Sequence, residues 1–265
     1  MRYNNKIDEE EECHWLKFIQ SATNPQVKQW KKLLTKKERD KSKTFIVEGF
    51  HLVEEALKNN AEIETIILGE TVELPPGLDY GSVPVIKVTD EIARSLADTE
   101  TTQGVFAVCQ QPPIINPQGQ TFLLIDSVQD PGNLGTMIRT ADAAGVDAVI
   151  VGKGSVDIYN PKVLRSAQGS HFHLPVISDD LHEWVAKLKQ QETPIYGTAL
   201  ENATTYREVP AGGSFALLVG NEGNGVSPAL LEQTDRNLYI PILGKSESLN
   251  VAVATGVLLY YLKIA

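Results

Sequence analysis

Asp126-Ser-Val-Gln-Asp-Pro-Gly-Asn-Leu-Gly-Thr-Met-Ile-Arg-Thr-Ala-Asp-Ala-Ala-Gly145 follows directly on the apolar run 121–125. A short apolar strand, a Pro-Gly turn and apolar residues at helical spacing make a strand–loop–helix unit. The turn through Pro131-Gly132 puts the expected helix over 133–144, with Asn133 as its cap. Arg139 stands six residues into that helix among Thr140, Ala141, Ala143 and Ala144, which leave space around a guanidinium. At the end of a strand it suits an anion or a ribose, because open α/β sheets bind ligands there. Taken alone, the stretch is explained slightly better by a cap and a surface arginine.

Two later stretches have the same strand–loop–helix character. In Leu217-Leu-Val-Gly-Asn-Glu-Gly-Asn-Gly-Val-Ser-Pro228, three glycines follow an apolar strand. Their spacing is neither G-x-G-x-x-G nor a P-loop, and Glu222 in their midst would repel phosphate. A dinucleotide oxidoreductase is excluded on that ground. In Ile240-Pro-Ile-Leu-Gly-Lys-Ser-Glu-Ser-Leu-Asn-Val-Ala-Val-Ala-Thr-Gly256, a strand ends and an apolar helix is expected from Ser248 or Leu249. Backbone N–H groups at such a start favour an electron-rich partner.

Around these stretches strands and helices alternate. Strands are expected at 43–48, 64–68, 83–88 and 105–110, then at 121–126, 148–151, 194–198, 215–219 and 238–240. Helices are expected from Pro25, over 49–59, after Thr89, and near 161–168, 181–191, 227–233 and 249–262. The later strands are apolar on both faces, as in a parallel sheet covered by helices. The Pro- and Gly-rich stretch 110–120 breaks the alternation and serves as a linker. The expected organisation is a flexible acidic extension over 1–16, a small α/β domain over 17–110, a linker over 111–120 and a second α/β domain over 121–265.

The chain has 265 residues, 42% hydrophobic and 22% charged, which excludes disorder throughout. Two cysteines, Cys13 and Cys109, cannot form a disulfide framework or a four-cysteine zinc site, and no metal is expected. No apolar run is long enough for a membrane span, and an acidic N-terminus is unlike a signal peptide. These features fit a cytoplasmic protein with no membrane partner. The net charge of −10 argues against a nucleic-acid ligand, but its distribution argues for one. Between Gln26 and Val47, Lys28, Lys31, Lys32, Lys36, Lys37, Arg39, Lys41 and Lys43 are opposed only by Glu38 and Asp40. Such a patch can bind a polyanion, or it can be a solvated helix face.

Together, Asn133-x-Gly135-x-x-x-Arg139-Thr-Ala, Gly220-Asn-Glu222-Gly and Ser248-Leu-Asn250-Val-x-Val-Ala resemble the three motifs of the SpoU (TrmH-like) branch of the SPOUT RNA methyltransferases. Asn160-Pro-Lys-Val-Leu-Arg165-Ser-Ala-Gln-Gly169-Ser is similar to the pattern that the family carries between its first two motifs. The resemblance covers about 120–265. Residues 17–110 resemble the L7Ae/L30e-like substrate-binding domain often placed ahead of it, through Ser21-x-x-Asn24-Pro25-x-Val-Lys and Phe45-Ile-Val-Glu48-Gly49.

The resemblance implies a deep trefoil knot in a C-terminal parallel-sheet domain, a homodimer formed through that domain, and S-adenosylmethionine as methyl donor to an RNA ribose 2′-hydroxyl. It implies a cofactor pocket built from Thr198, Ala199, Gly220, Asn221, Gly223, Ile240, Ile242 and Leu249. Arg139 would act at the 2′-oxygen or its neighbouring phosphate, Asn133, Ser248 and Asn250 would hold ribose and backbone, and Glu222 would orient Arg139 or a nearby loop. A guanidinium is essentially never neutral in a protein, so stabilising the forming alkoxide suits Arg139 better than acting as base. Lys28, Lys31, Lys32, Lys36, Lys37, Arg39 and Arg165 are the expected RNA contacts. Ribosomal RNA is favoured over transfer RNA and DNA is not expected. The alternatives are a transfer-RNA 2′-O-methyltransferase or a non-catalytic RNA-binding protein.

Overall fold

The computed structural model describes residues 15–113, 117 and 119–264, with the side chains of Trp15 and Leu16 left aside. Most of the acidic extension, Cys13 and part of the 111–120 linker lie outside the described residues. β1 (Trp15–Ile19) begins two residues inside the stretch expected to be flexible.

The first half of the chain builds a five-stranded sheet in the order β1-β4-β3-β5-β2. Its other strands are β2 (Thr44–Glu48), β3 (Ile63–Gly69), β4 (Val85–Val88) and β5 (Val105–Gln110). Alternating side chains feed two cores. One packs Ile46, Ile67 and Phe106 under Val27 and Trp30 of α1 (Pro25–Lys32) and Ile92 and Leu96 of α4 (Asp90–Leu96). The other packs Phe45, Val47 and Ile66 under Leu52, Val53 and Ala56 of α3 (Phe50–Lys58). Cys109 lies free in this core, where burial pushes its thiol up to about 12. The basic window is two short helices rather than one. Asn24 caps α1 and Pro25 takes its first position, the chain turns at Leu33, and α2 (Lys36–Ser42) closes at a left-handed Lys43 with φ 57°.

The second half builds an all-parallel seven-stranded sheet in the order β10-β12-β9-β11-β6-β7-β8. Its members are β6 (Thr121–Ile125), β7 (Ala148–Gly152), β8 (Val176–Asp179), β9 (Ile195–Thr198), β10 (Thr204–Thr205), β11 (Phe215–Val219) and β12 (Arg236–Tyr239). Leu123 and Ile125 point to α5 (Pro131–Ala143), α6 (Pro161–Ala167) and α9 (Val251–Ile264), while Phe122 and Leu124 point to α7 (Leu181–Gln190) and α8 (Pro228–Leu231). Helices thus cover both faces, as the doubly apolar strands require. Gly135 belongs to the fold as much as to the motif. A Cβ there would lie 2.5 Å from Ser166 Cβ and from the Val163 carbonyl oxygen, so only glycine lets α5 and α6 approach this closely.

The stretch 157–173 joins the two halves. Phe45 stacks on Tyr159 with centroids 4.5 Å apart, and Leu164 enters the first half's core. Buried Arg39 gives its Nε to Asp157 Oδ2 at 3.0 Å and its Nη1 to the Leu33 carbonyl at 2.6 Å. His173 bridges Asp142 Oδ2 at 2.7 Å and Glu55 Oε2 at 2.8 Å. The expectation that Arg39 contacts RNA is overturned, because its guanidinium is spent inside the protein. Arg165 Nη2 is turned to Asp98 at 2.9 Å, across the same contact.

Candidate active site

Helix α5 starts earlier than expected. Asp130 caps it, its Oδ1 accepting from Asn133 N at 2.8 Å, and Pro131 takes the first position. That correction has a chemical consequence: Asn133 is inside the first turn and its side chain is free to reach outward. Its Nδ2 donates to Glu222 Oε1 at 3.0 Å, and its Oδ1 accepts from Asn250 Nδ2 at 3.0 Å. Asn250 is the cap of α9, accepting from Ala252 N at 2.9 Å and Val253 N at 3.3 Å, so this helix begins at Val251 rather than at Ser248 or Leu249. Glu222 also accepts from Asp130 N at 3.0 Å and Gln129 N at 3.1 Å. A directional chain of hydrogen bonds therefore runs through all three motif stretches.

Glu222 is turned to the 129–133 loop and not to Arg139. Partial burial alone would raise its carboxyl pKa, but the bonds from Asn133, Asp130 and Gln129 outweigh burial and hold it below the usual range. Neighbouring groups stiffen the frame. Buried Asp126 accepts from Ser227 N at 2.8 Å, and Asn221 Nδ2 donates to the carbonyl of Ser127, a left-handed residue with φ 57°. Arg139 is exposed on α5 and makes no hydrogen bond or ion pair among the described residues. It is the motif cation left available to a ligand.

Beside this frame is a cavity of about 740 Å³ between the β9–β10 loop, the glycine loop and the β12–α9 loop. Of the residues expected at the cofactor, Thr198, Ala199, Gly223, Ile240, Ile242 and Leu249 lie on its lining, and Ser248, expected to hold ribose, lies there too. Gly220 and Asn221 do not. A Cβ on Gly220 would lie 2.1 Å from the Gly225 carbonyl carbon, and Asn221 closes the same loop by accepting from Gly223 N and Asn224 N at 3.0 Å. These two shape the loop; Gly223 presents it to the cavity. Sequence reasoning missed Asp130, which the Asp-Pro pair could have marked as a cap. It also missed Val226, Leu231, Leu238, Ala254 and Leu258 on the apolar wall, which read simply as core. The wall suits an aromatic heterocycle, and Glu201 and Glu232 on the lining suit a cationic group.

Of the expected RNA contacts, Lys28, Lys32, Lys36 and Lys37 are exposed and Lys31 is half-buried. None of the five takes part in an ion pair among the described residues.

Comparison with known proteins agrees with this geometry. Residues 120–260 match the model of the SpoU rRNA Methylase family, and residues 24–107 match an MRM3-like substrate binding domain. A 23S rRNA (guanosine(2553)-2′-O)-methyltransferase of Bacillus subtilis (strain 168) is 52% identical over 248 residues, covering 94% of this chain and 100% of that protein. The crystal structure of an AdoMet-bound rRNA methyltransferase from Sinorhizobium meliloti superposes with a TM-score of 0.82 at 30% identity, covering 92% of this chain and 96% of that one. The SpoU methyltransferase AviRb from Streptomyces viridochromogenes, in complex with AdoMet, gives 0.80 at 28% identity, covering 90% and 96%. With its three motifs tied into one hydrogen-bonded frame and nine-tenths or more of its length matched by such relatives, the chain belongs to the SpoU rRNA methylase family.

Proposed function

We propose that the protein transfers a methyl group from S-adenosylmethionine to a ribose 2′-hydroxyl of ribosomal RNA. The observation that carries this reading is the Glu222–Asn133–Asn250 chain of hydrogen bonds beside the 740 Å³ cavity, with Arg139 unpaired on the same helix. Two rRNA-methylating relatives and the substrate-binding match support ribosomal over transfer RNA.

The cavity fits the methyl donor in its chemistry: an apolar slot for adenine, and carboxylates toward a sulfonium and an ammonium. When bound, S-adenosylmethionine supplies a methyl group already activated by its sulfonium. The chain's own task is alignment and charge. Ile240, Ile242, Leu249 and Leu238 would hold the adenine, and Gly223 and Gly225 would let backbone approach it. Arg139 would stabilise the developing 2′-alkoxide or bind the adjacent phosphate, since it cannot be deprotonated to act as a base. Glu222, with both oxygens engaged, holds the loop that carries Asn133. Positioning of this kind supplies much of the rate in a displacement at an activated methyl.

The finer architecture follows the same reading. Residues 17–110 form the RNA-binding domain, of L7Ae/L30e type, 111–120 the linker, and 121–265 the methyltransferase domain. A trefoil knot is supported by the position of β12 between β9 and β10, strands joined to each other by 199–203. It is supported too by α9, where Tyr261 donates to the carbonyls of Arg207 and Val209, and Gly212 N donates to the Leu262 carbonyl. A homodimer is supported by the stripe Val253, Val257, Tyr260 and Ile264, exposed along one face of α9. A cytoplasmic location is supported by the bacterial 23S rRNA methyltransferase relative. Among the described residues no helix is long and apolar enough to cross a membrane.

The test is methylation of ribosomal and transfer RNA with labelled S-adenosylmethionine, followed by alkaline hydrolysis. Label in an alkali-resistant dinucleotide from ribosomal RNA is the expected result. Label on a base, or in transfer RNA alone, would overturn it.

A further inference from the structure

A second cavity, of about 530 Å³, opens where the two halves of the chain meet. Its volume is in the range of small-ligand pockets. Tyr159, Phe172, Pro112 and Pro113 make its walls, and Lys36 and Lys43 stand exposed on its lining. Those two lysines continue the exposed cationic strip of Lys28, Lys32 and Lys37.

The polar chemistry inside is incomplete. His171 lines the cleft, and its Nε2 lies 2.9 Å from the Ile158 carbonyl oxygen. A carbonyl only accepts, so Nε2 carries the proton and Nδ1 the lone pair. Nδ1 is buried and has no partner among the described residues. Burial pushes the imidazole down to about 4, against the raising effects of the Ile158 bond and Asp157, so it stays neutral and stays an acceptor. Of the two carboxylates on the lining, Asp157 is spent on Arg39 and on Tyr159 N. Asp40 is exposed at the same rim. A ligand for this cleft brings a flat apolar body, a donating edge and a negative charge alongside.

The cleft also lies close to the proposed reaction centre along the chain of contacts. His173, on its lining, donates its Nδ1–H to Asp142, which is three residues beyond Arg139 on α5. Three residues of helix rise about 4.5 Å. The lining of the cleft therefore touches the helix that carries Arg139, about one turn beyond it.

Building on the proposed RNA methylation, we propose that the interdomain cleft takes one unstacked nucleobase of the RNA substrate, its donating edge toward His171 and its flanking phosphate on Lys36 and Lys43. Sequence-specific RNA recognition uses splayed bases in this way, with apolar or aromatic walls for the base and cations for the backbone.

His171→Leu removes the Nδ1 lone pair, together with the Nε2–H, and puts an apolar side chain of similar bulk in their place. It is expected to raise the RNA KM about tenfold, the scale of one lost base contact, with the loss in KM and not in kcat. Its Tm should fall modestly, because the Ile158 carbonyl loses its donor even as the unsatisfied Nδ1 goes, so KM is read at a temperature where the variant is folded. Ser178→Trp, at an exposed position on the cleft's lining, should block the cleft and raise the RNA KM likewise without touching the core. Lys36→Gln should make the salt dependence of RNA binding shallower, whereas His171→Leu leaves that slope alone. Wild-type RNA KM in both folded cleft variants would overturn the proposal. So would a cleft that shifts its His171 NMR signals with free nucleoside 5′-monophosphates while RNA KM stays unmoved, which marks a small-molecule site. If the unaltered enzyme methylates no RNA, the methylation reading fails, and equilibrium RNA binding by the same variants still decides the cleft.

Discussion

Asn250 Nδ2 donates to Asn133 Oδ1 at 3.0 Å, across 117 residues of chain. The same Asn250 caps α9 through its Oδ1, and the same Asn133 gives its amide hydrogens to Glu222. Asn250→Ala removes a cap and a tie at once. It should lower stability by about 1–2 kcal/mol, the usual cost of a lost cap residue, and lower methyl transfer further than the Tm loss explains. Thermal melting beside single-turnover kinetics separates the two effects. Wild-type turnover in the folded variant would remove the frame from the mechanism.

Arg139→Ala should behave in the opposite way. The side chain is exposed and has no partner among the described residues, so Tm should stay within about 1 °C of wild type. Turnover at saturating cofactor should fall roughly 100-fold or more, the scale for losing one preorganised charge-stabilising donor. Arg139→Lys should rescue poorly, because an ammonium lacks the planar fork. Near-normal turnover in Arg139→Ala would end its catalytic assignment.

Two glycines three residues apart should respond differently. Gly220→Val forces a side chain into the backbone of Gly225 and Val226 and should lower Tm sharply. Gly223→Val meets nothing nearer than Asn221 Oδ1 at 3.7 Å, so the fold should survive while S-adenosylmethionine binding weakens about tenfold or more. Calorimetric titration reads the second effect, and an unchanged Kd for Gly223→Val would move the cofactor elsewhere.

Arg39 and its lysine neighbours should also part company. Arg39→Ala leaves Asp157 without its partner and should cost about 3–5 kcal/mol, as when a buried ion pair loses one member. Replacing Lys28, Lys32 and Lys37 with Gln should leave Tm near wild type and flatten the salt dependence of RNA binding by about three phosphate contacts. An unmoved salt slope would make that strip ordinary solvated surface.

His173 carries a pH dependence. The Asp142 bond raises its pKa, partial burial opposes this, and the Glu55 bond adds to the rise. A raised folded-state value contributes stability that is fully present below the unfolded value near 6.5 and is lost as pH rises through the folded value. The contact between the two halves should therefore loosen on the alkaline side of about pH 6.5, and His173→Ala should remove that part of the pH profile of Tm. An unchanged profile would show that the bridge carries no coupling.

The alternation of elements was legible because apolar runs and turn residues report local geometry. β10 was not, since two threonines carry no period, and neither was β8, whose apolar pair Val176-Ile177 stands between Pro175 and the polar Ser178-Asp179. The three motifs were legible as stretches, but their hydrogen-bonded order was not: Asn133 reads equally as a cap or as a tie until Asp130 is seen in the cap position. Arg39 and Lys37 look alike in a basic window. Only Asp157, far along the chain, decides that one is buried and the other is not. Gly220 and Gly223 likewise differ only in what the folded loop puts beside them.

The cavity beside the glycine loop is assembled from 198–202, 223–232, 237–242 and 248–258. During synthesis these segments leave the ribosome in that order, at about 5–20 residues per second. A nascent chain that stops short of residue 248 lacks Ser248, Leu249, Ala254 and Leu258 of that lining. It also lacks Asn250, so Asn133 has lost its second tie. Such a fragment is expected to bind S-adenosylmethionine weakly and to lack the frame. Competence should therefore arise only after synthesis has passed through α9, and prematurely terminated products should be inert.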